Sequence, residues 1–175
     1  MFRKVLLGLL VVSGIGLFIA HRMGVRLNTT ASLPLGLYIR TLADSDYVTF
    51  CLDDDMGRMA LKRRYVSSGS CSYGGAPLLK KVVARPGDTV HLDDRGISVN
   101  GKLLENTEPR MTDSLGRQMK IYPFGTYVVQ PGTFWVASTY DNRSFDSRYI
   151  GELQDGRLLM RVKPLLVARR PGWSY

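Results

Sequence analysis

The chain is short of the residues most often used to bind metals or to act as bases. Its 175 residues include two histidines and two cysteines. Neither Cys51 nor Cys71 stands at a metal-ligand spacing from a histidine or another ligating group, so no metal site and no cofactor are expected. The formal charge is +9, yet no nucleic-acid-binding motif and no sustained basic helix accompany it. That pattern argues against nucleic acid and for a soluble domain held close to anionic membrane. No internal repeat or low-complexity linker divides the chain. At this length it is one domain, or one domain with an anchor.

Acid is absent from the first 30 residues. Arg3, Lys4, Arg22 and Arg26 give that stretch +4 and leave +5 for the rest. The run from Val5 to Ala20 is uncharged and 16 residues long, between a signal-peptide core and a full membrane span. Residues 1–26 are therefore expected to form an apolar signal or anchor helix. Ala20 offers a cleavage point, with bulky Phe18 two residues before it, so retained and removed leaders both stand. Basic residues on both flanks leave the orientation open. In an exported protein an even pair of cysteines is readily oxidised. Pairing Cys51 with Cys71 would close a loop of about 20 residues, worth about 3 kcal/mol in the chain-entropy view. Two unpaired buried thiols are the alternative.

Beyond the leader the pattern is of short strands and turns. Leu37 to Phe50 is apolar and aromatic, interrupted by Ala43-Asp44-Ser45-Asp46. Met56 to Val66 has helical spacing. Leu78 to Ala84 is a strand stopped by Pro86-Gly87-Asp88. Asn100-Gly101 between apolar flanks predicts a hairpin. Residues 105–120 are polar and read as an exposed loop. Tyr127–Val129 and Thr133–Ala137 read as a second hairpin around Gln130-Pro131-Gly132, and Leu158 to Ala168 supplies the last strands. The sum is a mainly β domain.

Three frames carry possible chemistry. The first is Thr30-Ala31-Ser32-Leu33-Pro34-Leu35-Gly36, where Pro34 and Gly36 suit a rigid turn that exposes the Ser32 hydroxyl. Thr30 would either join the Ser32 N–H as an oxyanion donor or simply cap the turn. The second is Leu78-Leu79-Lys80-Lys81-Val82-Val83-Ala84. Strand alternation puts Lys80 on a face with Leu78, Val82 and Ala84, while Lys81 shares the other with Arg85. Burial of Lys80 would lower its pKa and make it a base, although two exposed lysines at a sheet edge would give the same pattern. A serine activated by a neutral lysine is a complete protease engine without histidine. The third is Asp141-Asn142-Arg143-Ser144-Phe145-Asp146-Ser147-Arg148, where Asp146 and Arg148 can pair to hold a loop.

In this order the frames resemble the bacterial type I signal peptidases, from the leader to about Gly151. The resemblance implies a signal-peptidase-like fold of short antiparallel strands. It makes Ser32 the nucleophile and Lys80 the general base. It gives Ser144 a hydrogen bond near that lysine, and Asp146 and Arg148 a structural ion pair. One residue, not two, separates Ser32 from its proline. Tyr140 replaces the usual glycine before Asp141, and the loop before Ser144 is shortened. The large second domain of enterobacterial signal peptidases has no room. In these respects the chain is similar to the TraF-type peptidases of conjugative plasmids, a branch in which an aspartate at the position of Asp146 matters for activity.

That resemblance implies a periplasmic Ser/Lys peptidase domain over residues 27–175, anchored to the inner membrane unless the leader is cleaved. Its substrate would be the propilin of a conjugative pilus, cut near its C-terminus and joined head to tail, and other conjugative secretion components are possible partners. A general signal peptidase, and a non-catalytic envelope component of a pilus assembly complex, are the competing readings.

Overall fold

The computed structural model describes residues 24–168, together with Gly14. The expected leader helix otherwise lies outside the described residues. Among those described, no helix is long and apolar enough to cross a membrane.

Among the described residues, eleven strands pair antiparallel throughout, in two sheets. The first strands are β1 (Arg26–Asn28), β2 (Gly36–Arg40) and β3 (Tyr47–Phe50), followed by helix α1 (Asp54–Lys62). Next come β4 (Leu78–Ala84), β5 (Thr89–Asp93), β6 (Gly96–Val99), β7 (Lys102–Leu103), β8 (Gly125–Val128) and β9 (Thr133–Ala137). A short helix α2 (Ser147–Ile150) precedes β10 (Leu153–Gln154) and the long β11 (Leu158–Val167). The larger sheet has the order β1-β2-β11-β3-β4-β9-β10, and the smaller β7-β6-β5-β8. The mainly β expectation therefore holds.

Strand β11 enters between β2 and β3, so the end of the domain locks its beginning. Pro164 sits in this interior strand beside a shift in register, where a missing N–H is tolerated. The expected hairpin at Asn100-Gly101 forms between β6 and β7. Both turn residues have positive φ, 49° and 82°, as a two-residue turn matching strand twist requires.

The second expected hairpin does not form. Strand β8 pairs with β5, whereas β9 pairs with β4 and β10. Every residue of β9 is buried, and Pro131-Gly132 carries the chain from one sheet to the other. Trp135, Val90, Leu92 and Ile97 pack in the core that joins the sheets.

Helix α1 is capped by Asp53, whose side chain accepts from Met56 N, satisfying a free N–H of the first turn. It ends before the expected Val66. Arg64 adopts φ 61°, Arg64 N donates to Leu61 O and Tyr65 N to Ala60 O. This is the left-handed helix stop usually made by glycine. Cys51 and Cys71 form a disulfide that ties the end of β3 to the loop after α1.

Candidate active site

Ser32 lies in the turn between β1 and β2, and Lys80 lies inside β4. Burial along β4 alternates strictly, with Leu78, Lys80, Val82 and Ala84 on the buried face. Lys80 and Ser32 are each 6% exposed. Lys80 Nζ donates to Ser32 Oγ at 2.7 Å. Burial lowers the Lys80 pKa from 10.5 to about 8; Asp146 and Asp141 oppose the shift, and Arg148 adds to it. A lysine so placed loses its proton far more readily than one in water.

The Ser32 turn is shaped by several contacts. Gly36 has φ 141°, and a Cβ there would run into the backbone oxygen of Leu166. Leu33 is fully buried with Tyr38 and Val162, and Tyr38 Oη donates to Pro34 O at 2.9 Å. Thr30 Oγ1 stands 3.2 Å from Ser32 Oγ, so this hydroxyl reaches the Ser32 side chain. Asn28, which sequence reasoning did not single out, is buried beneath the turn.

The third frame folds behind Lys80. Asp146 and Arg148 are both completely buried and joined at 2.8 Å. All five guanidinium N–H groups of Arg148 have acceptors: Asp146 Oδ1 and Oδ2, and the carbonyls of Glu108, Asn142 and Ser144. A buried cation is tolerated when every donor is used and a counter-charge is present. Asp146 also accepts from Ser138 N at 3.1 Å, linking the pair to the end of β9. The expected ion pair is thus present, and it locks the loop that carries Ser144.

Ser144 departs from expectation. It is buried and lines the same cleft as Ser32 and Lys80, but its Oγ has no hydrogen-bond partner among the described residues. The expected hydrogen bond near Lys80 is therefore not made. Asp141 also lines the cleft. It pairs with exposed Arg143 and acts on Lys80 only as a weaker charge than Asp146.

The cleft has a volume of about 530 Å³. One wall comes from residues expected to be an exposed loop, including Arg110, Thr112, Asp113 and Met119. Asp113 accepts from Tyr65 Oη and from Arg117 Nε, each at 2.7 Å. Arg117 in turn donates to Arg63 O at 3.0 Å. The loop is therefore stapled to the end of α1. Among the described residues no cluster of three or more metal-ligating side chains occurs. The arrangement is an extended cleft with a serine hydroxyl and an easily deprotonated amine at its floor, which is the equipment for acyl transfer.

Residues 3–166 match the family described as signal peptidase, peptidase S26. The chain is 35% identical to the conjugal transfer protein TraF of Agrobacterium fabrum over 175 residues, 94% of this chain and 97% of that protein. It is 32% identical to the plasmid transfer protein TraF of Escherichia coli over 154 residues, 83% of this chain and 84% of that one. A solved signal peptidase I from Enterococcus faecalis covers 71% of this chain and 99% of its own at 19% identity, with a TM-score of 0.39.

Proposed function

The chain belongs to the peptidase S26 signal peptidase family, in its TraF conjugal-transfer branch, and we propose that it is a membrane-associated serine endopeptidase that matures a conjugative propilin. The observation that carries this reading is the 2.7 Å contact between Lys80 Nζ and Ser32 Oγ on the floor of the cleft.

Once Lys80 has lost its proton the contact reverses, and the Ser32 O–H donates to Nζ. Ser32 Oγ then attacks a peptide carbonyl as Lys80 takes the proton. The Ser32 N–H and the Thr30 hydroxyl stabilise the oxyanion. The tetrahedral adduct collapses to an acyl-enzyme, and Lys80 passes its proton to the leaving amine. Water then gives a linear pilin. If the pilin's own N-terminal amine is held beside the ester, it competes with water through effective molarity and gives a circle; Lys80 accepts the proton of that amine. The substrate enters as an extended strand beside the Ser32 turn or β4.

The reading places the domain in the periplasm, tethered by residues 1–26 to the inner membrane beside its substrate. The test is the intact mass of the cognate pilin coexpressed with wild type and with Ser32→Ala. A trimmed pilin one water lighter than the linear product, made by wild type alone, is expected. Linear trimmed pilin would remove cyclisation. Pilin unchanged by wild type would remove the conjugative role and favour a general signal peptidase.

A further inference from the structure

Asn28 ends β1, is 7% exposed, and makes five hydrogen bonds into the turn that follows. Its Nδ2 lies 3.0 Å from Thr30 O, 3.0 Å from Leu33 O and 3.1 Å from Pro34 O. Its Oδ1 accepts from Thr30 N at 3.3 Å and from Thr30 Oγ1 at 3.0 Å. Three carbonyls around one amide end fix which end is nitrogen, since carbonyl oxygens only accept. The other end is then an oxygen and also only accepts. Thr30 has one hydroxyl proton, and Asn28 draws it.

From this geometry we infer that Asn28 is a positioning residue for the nucleophile: it sets the direction of a hydrogen-bond chain that runs from Lys80 through Ser32 and Thr30 to its own Oδ1. The inference rests on Ser32 being the nucleophile, as proposed above. In the resting chain the Lys80 ammonium donates to Ser32 Oγ, the Ser32 hydroxyl donates to Thr30 Oγ1, and the Thr30 hydroxyl donates to Asn28 Oδ1. Each of the two hydroxyls both gives and receives, so neither hydroxyl proton is left without an acceptor. Loss of the Lys80 proton frees the Ser32 O–H to turn onto Nζ, the reactive direction. Thr30 then needs only to release its proton from Asn28 to serve an oxyanion. The same three carbonyl contacts close the turn from within and hold the Ser32 Oγ toward Lys80.

This chain stabilises the charged form of Lys80, because only in that form does the Ser32 proton need Thr30. Thr30→Val deletes the acceptor. Asn28→Ala frees the Thr30 proton to donate to Ser32 Oγ, which favours the neutral-lysine arrangement. Both substitutions therefore lower the pH at which Lys80 becomes a base. The charged groups that act on Lys80 from outside its strand are Asp146, Arg148 and Asp141, and neither substitution alters them.

The test is the rate at which an activated aryl ester acylates Ser32, followed by intact-protein mass across pH, with Ser32→Ala as blank. Wild type gives a rate that rises with pH through one midpoint. In Thr30→Val and in Asn28→Ala that midpoint moves down by roughly half a unit to one unit, the size of one hydrogen bond. A residue that only filled the turn would lower the rate and leave the midpoint in place. An unmoved or raised midpoint in Thr30→Val overturns the inference, even if Asn28→Ala does not fold. A wild type that is never acylated at Ser32 overturns the serine reading itself, which is a different result.

Discussion

Lys80 Nζ lies 2.7 Å from Ser32 Oγ although 48 positions separate the two residues. The contact depends on strand order. Ser32 stands in the turn that enters β2, Lys80 stands in β4, and β11 and β3 lie between those strands. Only when the last strand is in place is the sheet continuous from the serine to the lysine.

Two adjacent lysines separate burial from composition. Lys80→Ala is expected to abolish acylation of Ser32, a loss of at least roughly a thousandfold, the scale of removing a general base. Lys81→Ala points to the opposite face of β4 and should keep activity within about threefold of wild type. Pilin processing or ester labelling reads both. The reverse order of effects would mean that the base has been misassigned.

The pH dependence follows from the direction of the Lys80 shift. In the proposed mechanism the neutral amine is the active form, so kcat/KM should rise with pH and level off above a midpoint near 8, where burial has lowered this group. An unshifted lysine would place that midpoint above 10. A profile still climbing at pH 10 would show that Lys80 is solvated in the working enzyme.

Stability should also rise with pH, over a higher window. Lys80 titrates at about 8 in the fold against 10.5 for a free side chain. Below about pH 8 both folded and unfolded chains hold the proton, and the fold bears the whole cost of a buried ammonium. Between the two values the unfolded chain binds more protons, so stability rises with pH. Above 10.5 the cost is gone. Lys80→Met fills similar space without charge and should be more stable than wild type at pH 6.5, by on the order of 3 kcal/mol at most. The advantage should shrink as the pH approaches 10.5. Melting curves at the two ends of this range test it; a gain independent of pH would assign the effect to packing alone.

Much of this site is written in local patterns. Alternation along β4 distinguishes Lys80 from Lys81, and Pro34 and Gly36 mark the Ser32 turn. The i, i+2 spacing of Asp146 and Arg148 foretells their pair. What is missing from the sequence is long-range. Tyr127–Val129 and Thr133–Ala137 look like a hairpin because both are apolar and a Pro-Gly turn joins them, but their partners lie in different sheets. Arg64 stops α1 in a conformation that composition does not signal, so the helix reads too long. Residues 105–120 are the mostly exposed loop expected of them, but their place against the cleft is set by a partner of Asp113, Tyr65, that lies 48 positions away. Asn28 escapes notice because its role is to receive a turn that closes six residues later. A signal was present in Asn28-Thr29-Thr30, where a side-chain amide precedes a hydroxyl by two residues, the spacing of an Asx turn.

Asp146 and Asp141 face the same lysine with different burdens, and their alanine variants should differ accordingly. Asp146→Ala removes two of the five acceptors of Arg148 and, among the described residues, its ion-pair partner. It leaves a buried guanidinium without its ion-pair partner, and breaking a buried pair costs about 3–5 kcal/mol. It also frees Ser138 N and loosens the loop that carries Ser144. Asp141→Ala breaks a pair whose arginine is 69% exposed, and such pairs are worth about 1 kcal/mol or less. Asp146→Ala should therefore melt at a clearly lower temperature and lose at least roughly tenfold more activity than Asp141→Ala. Both remove a carboxylate that holds the Lys80 pKa up, Asp146 more strongly, so the activity midpoint should fall in both and further in Asp146→Ala. Asp146→Asn serves where the alanine variant does not fold, because it keeps the shape and removes the charge. Equal activities and equal midpoints in the two positions would mean that the Asp146–Arg148 pair plays no part in setting the lysine.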